Sequence, residues 1–272
     1  MYSGLTFTRF SGRLIGAHQQ IDRIARRHTG ELLGSKSFFP GIGTILKFEG
    51  KDGPDGIKRK SPGHNEPWHF FNPLDDNNKE YARLLAVHYD GLVKQLRLQD
   101  KERAAFEAAW LAHTIIDGLT PAHHFPFEQK ISELRGGKPN GTRITYSDKL
   151  IFKGDTLGKT FSNMLKAWGP KGIFTAHFMF EFGFSFIIKP LRFPDARPKP
   201  SDLRGVESIG YTEYFMQIAR QIAMMDLYEQ YIAKGWTSKL TRQIRQELAP
   251  LMVKAVTVIW YQAVQEAERG KK

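Results

Sequence analysis

Apolar residues recur along most of the chain at the three-and-four spacing of an amphipathic helix. From Leu14 to Leu33 the spacing runs through Ile15, Ile21, Ile24 and Ala25, and it predicts a helix with His18 and Asp22 near one edge. Two more helices are predicted, from Lys79 to about Leu98 and from Asp100 to Asp117. The second opens on KERAAFEAAWLAH with Asp100 as its N-cap. Gly118 and Pro121 then mark where it stops or bends, because proline has no amide hydrogen to continue the ladder. Toward the C-terminus, Val206 to Lys234 and Thr237 to about Arg269 read as long helices. The last carries a stripe of Leu240, Ile244, Leu248, Leu251, Ala255, Ile259 and Ala263, and Pro250 should kink or divide it. The pattern predicts an all-α fold whose stripes face a core.

Three segments break the helical period: Gly34 to Pro67, Ser132 to about Lys159, and Lys189 to Arg204. Loops longer than about 15 residues are uncommon in compact domains and often carry function. The first holds Asp52, Asp55, His64 and His69 and reads as a functional loop. The second is basic, with Arg135, Lys138, Arg143, Lys149, Lys153 and Lys159, and reads either as a substrate-facing insertion or as a solvated excursion. No internal repeat is visible. The expected organisation is one helical domain over residues 1–272 with a basic insertion at about 132–160.

Composition narrows the chemistry. No run of about 18 uncharged apolar residues exists, so no membrane-spanning helix is expected. The opening MYSGLTFTRFSGRLIGAH lacks the continuous apolar region of a secretory signal. That predicts a cytoplasmic protein or a chain that begins after its export signal. The 272 residues include no cysteine, so thiolate zinc sites are excluded and any metal must sit on His, Asp, Glu or backbone groups. A formal charge of +12 favours an anionic partner such as nucleic acid, an anionic lipid surface or a phosphate ester, or serves solubility alone.

Against this background the spacing of histidines stands out. Nine His and 28 acidic residues in 272 should give about one His-x-x-x-acid pair by accident, yet four occur: His18 with Asp22, His113 with Asp117, His124 with Glu128, and His177 with Glu181. Four residues are about one helical turn, so each pair projects from one face within reach of a shared ion. In HTIIDGLTPAHH, residues 113–124, the proline then carries His123 off the helix axis. His28, His64, His88 and His124 are expected to be surface or satisfied core groups, and Asp22 and Glu128 to be exposed or supporting partners.

In sequence order, GAHQQIDRIARRH, GPDG, WHFFNP, HTIIDGLTPAH and HFMFE resemble the metal-binding segments of the zinc-dependent phospholipase C family, which shares its helical fold with the single-strand-specific fungal nucleases. The similarity spans about Leu14 to Arg269, and only these short segments are specific. The resemblance implies a multi-helix domain of that type with long functional loops and two or three zinc ions. His69, His113 and Asp117 would hold the first, with Asp55 as a further ligand or as a catalytic base. Asp117 would bridge to a second, held also by His18, and His123, His177 and Glu181 would hold the third. The family completes the second site with an N-terminal Trp, whereas here Met1 stands seventeen residues before His18. The second ion is therefore expected to be the weakest.

The function expected from the resemblance is hydrolysis of a phosphodiester by metal-activated water, with a phospholipid as substrate and peripheral contact with an anionic membrane surface. A single-strand-specific nuclease is the competing enzyme, suggested by the positive charge and by aromatic side chains able to stack bases. A metal-stabilised binding protein without catalysis is the third reading.

Overall fold

The computed structural model describes residues 16–35, 37–60, 70–75 and 79–270, and every regular element among them is helical. The three helices predicted between Leu14 and Asp117 are present close to their expected limits. Helix α1 spans Ala17–Leu33. After two short helices, α2 (Ile42–Ile45) and α3 (Pro54–Lys60), come α4 (Lys79–Leu98) and α5 (Lys101–Gly118). Asp100 caps α5 as expected, its carboxylate accepting from the amides of Glu102 and Arg103. Among the described residues no helix is long and apolar enough to cross a membrane.

The segment expected to be irregular from Ser132 to about Lys159 is irregular only in part, being broken by short helices, and its flanks are helical. It contains the end of α6 (Phe127–Leu134), then α7 (Tyr146–Leu150), and leads into α8 (Leu157–Trp168) and α9 (Ile173–Ile188). Helix α7 is too short for a hydrophobic period to stand out, and a capping box from Thr145 and Asp148 starts it. These helices close over a small core of their own, with Phe127, Ile131, Phe152 and Ala167 buried together.

The expected long helix from Val206 to Lys234 is three: α10 (Pro200–Ile209), α11 (Tyr211–Ala223) and α12 (Leu227–Lys234). Gly210 at φ +82° makes the first break, a conformation that costs glycine little. Asp226 at φ +51° makes the second without any glycine or proline to announce it. Further on, α13 (Ser238–Gln243) runs into a widened π turn, Ile244–Leu248, and then α14 (Ala249–Arg269). The division falls where Pro250 was expected to impose it, since its ring crowds the carbonyl four residues back.

Helix α14 lies at the centre, against α1, α4, α5, α10 and α11. Trp260 is fully buried there, and its indole N–H donates to the Ala108 carbonyl at 3.1 Å. Helix α5 offers Ala104, Ala105, Ala108, Ala109 and Ala112 to its neighbours, all completely buried. Small side chains let α4 and α14 approach its backbone closely. The last two turns of α5, with their histidine and aspartate, are thereby held in the interior.

Candidate metal centre

His113 and Asp117 fall in the final two turns of α5, one turn apart and both buried. Asp117 is the hub. One carboxylate oxygen lies 3.2 Å from Nε2 of His113, and the other lies 3.2 Å from Nε2 of His18 in the first turn of α1. The two imidazoles stack with centroids 4.0 Å apart and planes 10° from parallel, so both ring edges meet the same carboxylate. Asp55, in the first turn of α3, brings a carboxylate oxygen 3.7 Å from His113 Nε2. Its side chain is 26 % exposed, and it stands on the solvent side of this group.

After Gly118 the chain leaves the helix. A methyl at Gly118 would meet Phe215 Cζ at 2.5 Å and the Tyr81 hydroxyl at 2.6 Å, so only glycine fits there. A single 3-10 turn, Pro121–His123, carries His123 back over α5, with its Nδ1 3.7 Å from Asp117. On α9, His177 and Glu181 project from one face. One oxygen of Glu181 lies 2.9 Å from Nε2 of His177 and 2.9 Å from Nε2 of His123. Burial opposes ionisation of Glu181, but the positive charge around it, to which the His177 and His123 imidazoles contribute, holds its carboxyl well below the usual carboxylate range. The structure thus joins two triads, His18 with His113 and Asp117, and His123 with His177 and Glu181, each with its donor atoms within 4.8 Å of one another.

Two carboxylates extend the first triad beyond the expected set. Glu49 is buried just after the 3-10 turn Leu46–Phe48, and its Oε2 accepts from Nδ1 of His113 at 3.2 Å. That bond fixes the tautomer and turns Nε2 toward Asp117, the role outer carboxylates play for ligating histidines. Asp22, expected to be exposed or supporting, is fully buried, and neither of its oxygens has a hydrogen-bond partner among the described residues. Burial, and after it the Glu49 charge, pushes its pKa well up. His113 shifts well up as well: burial resists its protonation, but Asp117 and Glu49 outweigh it.

These shifts share one origin. Asp22, Glu49 and Asp117 bury three carboxylates beside two imidazoles, and buried charge is costly unless paired or bound to a metal. A divalent cation between His18, His113 and Asp117 would balance that charge, and imidazole with carboxylate is a donor set zinc accepts. The residues therefore fit the group.

His69 and His64 lie outside the described residues, as does the chain before residue 16. His28, His88 and His124 serve elsewhere, as expected. Nε2–H of His28 donates to the Phe193 carbonyl, that of His124 donates to the Gly118 carbonyl, and Nδ1 of His88 pairs with Glu107 at 2.9 Å. Glu49 escaped the sequence reading because it stands 64 residues from its histidine in a stretch without helical period.

The chain matches no protein-family model, no curated protein and no solved structure. What fold and site define is an all-helical protein with two adjoining, buried His and carboxylate triads able to hold metal ions.

Proposed function

We propose that the chain is a zinc-dependent phosphodiesterase of the phospholipase C type, cleaving a phospholipid between glycerol and phosphate. The observation that carries this reading is Asp117, which offers one oxygen to each of two stacked imidazoles, the arrangement a carboxylate shared by two ions requires. His18, His113 and Asp117 would hold the paired ions, with His69 and Asp55 completing the first. His123, His177 and Glu181 would hold a third. When bound, such ions lower the pKa of a water near them and neutralise phosphate oxygens.

The side chains supply the rest. Glu49 orients His113. Asp55, on the open side, takes a proton from the attacking water as the new oxygen–phosphorus bond forms. The bond from phosphorus to the glycerol oxygen then breaks, and a solvent proton restores the leaving hydroxyl. No protein nucleophile is needed.

Elemental analysis of the purified protein, with parallel assays on phosphatidylcholine, anionic phospholipids and single-stranded DNA, tests the reading. Two or three zinc ions per chain and turnover on lipid are expected. Asp117→Asn should lower the activity about 10²- to 10³-fold. Glu49→Gln should weaken metal binding about 10- to 100-fold. Turnover on DNA alone would assign the nuclease chemistry instead, and stoichiometric metal without either turnover would leave a binding protein.

A further inference from the structure

Helix α8 wears its apolar face outward. Leu157, Phe161, Leu165 and Trp168 recur at helical spacing and are 92, 67, 51 and 40 % exposed. The face turned inward carries Asn163, Met164 and Ala167, and the Asn163 amide donates to the Leu134 carbonyl at the end of α6. An amphipathic helix normally buries its apolar stripe against the core. Here the small core beneath is filled by Phe127, Ile131 and Phe152. The stripe is left for something outside the chain.

The surroundings say what kind of partner. From residue 143 to 171 there are six Lys or Arg against two Asp. Lys159 and Lys166 project from α8 on the side away from the stripe, Lys153 and Lys171 flank the helix, and all four are exposed. Among the described residues none of these four is held in an ion pair. A helix with Leu, Phe and Trp on one face and lysines on the other suits the boundary of an anionic bilayer, where the apolar face enters the acyl region and lysines reach the headgroups. A second copy fits less well. The stripe offers on the order of a few hundred Å², below the ~800 Å² per partner of a stable interface.

We propose that α8 docks this protein onto anionic lipid surfaces, inserting Leu157, Phe161, Leu165 and Trp168 among the lipids. The docking face adjoins the second triad. Trp168 stacks on Phe174 at 4.4 Å, Phe174 meets Phe127 at 5.0 Å, and Phe127 meets His177 at 5.0 Å. A bilayer held at α8 is therefore presented beside the proposed site. Docking itself stands on the helix alone, and only this use of it rests on the phosphodiesterase reading.

The experiment is flotation of the metal-loaded protein with phosphatidylcholine vesicles, with or without 30 mol % phosphatidic acid (roughly the charge of an anionic leaflet), beside an assay on a soluble monomeric phosphodiester. Wild type should float with the anionic vesicles and bind neutral ones at least about tenfold more weakly. Leu157→Ser with Phe161→Ser should lose about tenfold or more on anionic vesicles, while its melting temperature and its rate on the soluble substrate stay unchanged. Lys159→Glu with Lys166→Glu should lose the preference for anionic lipid. Failure of wild type to float, or flotation of the serine variant like wild type, would overturn docking even if the soluble substrate is cleaved. Flotation without cleavage would leave docking standing and remove the phosphodiesterase. A dimer in sedimentation velocity that the serine variant abolishes, without flotation, would assign the face to a second copy.

Discussion

His124 shows how much one buried side chain can decide. Its Nε2–H donates to the Gly118 carbonyl at 2.8 Å, directly behind Asp117, and burial pushes its pKa down to about 4. The ordinary value is about 6.5. Between those two values the unfolded chain takes up a proton that the folded chain refuses, so stability falls as the pH drops through that window. His123, pushed down to about 3 chiefly by burial, extends the effect to lower pH in the metal-free protein. Urea unfolding in chelator should therefore show stability falling from pH 6.5 toward 4, by up to about 1.4 kcal/mol per pH unit for each of these two groups, less the opposite contribution of Asp22, whose raised pKa lets the folded chain take up a proton first. In His124→Gln, whose amide can still reach the carbonyl, that dependence should be shallower by about one group's share. An equal slope in wild type and variant would refute this account.

At the scale of elements, the junction between α5 and the 3-10 turn controls the site. Gly118 lies where Tyr81 and Phe215 close over the backbone, and the Tyr81 hydroxyl also donates to the Thr114 carbonyl one turn earlier. Gly118→Ala must push these rings apart, and overpacking of this kind costs about 1 to 3 kcal/mol. Because the displaced backbone carries Asp117 on one side and His123 beyond the turn, the variant should also lose metal from both triads. Asp100→Ala, at the other end of the same helix, removes two cap hydrogen bonds and should cost about 1 kcal/mol. It should keep its full metal content. Chemical denaturation with elemental analysis of both variants separates the two effects, and metal loss in Asp100→Ala would contradict it.

At the scale of the whole molecule, the two triads draw on α1, α5, the turn after α5, and α9, with Asp55 added from α3. Such a site exists only in the folded chain, so each ion bound there stabilises the fold by mass action. An ion present at about 100 times its Kd adds about 2.7 kcal/mol, which for a chain of this size moves the Tm by at least about 5 °C. Stripping the metal with a chelator should lower the melting temperature by that much or more, and stoichiometric zinc should restore it. A chelated protein shown to be metal-free with an unchanged Tm would mean that the buried carboxylates are balanced in some other way.

The sequence by itself determined the helices whose apolar period runs for four turns or more, α1, α4, α5 and α14, together with the cap at Asp100 and the break before Pro250. It also determined the pairs His113 with Asp117 and His177 with Glu181, because within one helix a spacing of four residues already fixes proximity. Only the tertiary structure decided what lies across helices: that His18 stacks on His113, that His123 returns to Glu181, and that Glu49 sits behind His113. Asp22 illustrates the difference. Its spacing from His18 is the same as that of the other pairs, yet whether it faced water or the interior depended on what α1 packs against, and the answer is full burial. The outward face of α8 was hidden for the same reason. Periodicity reports that a helix has an apolar side, whereas only the packing of its neighbours decides whether that side is covered.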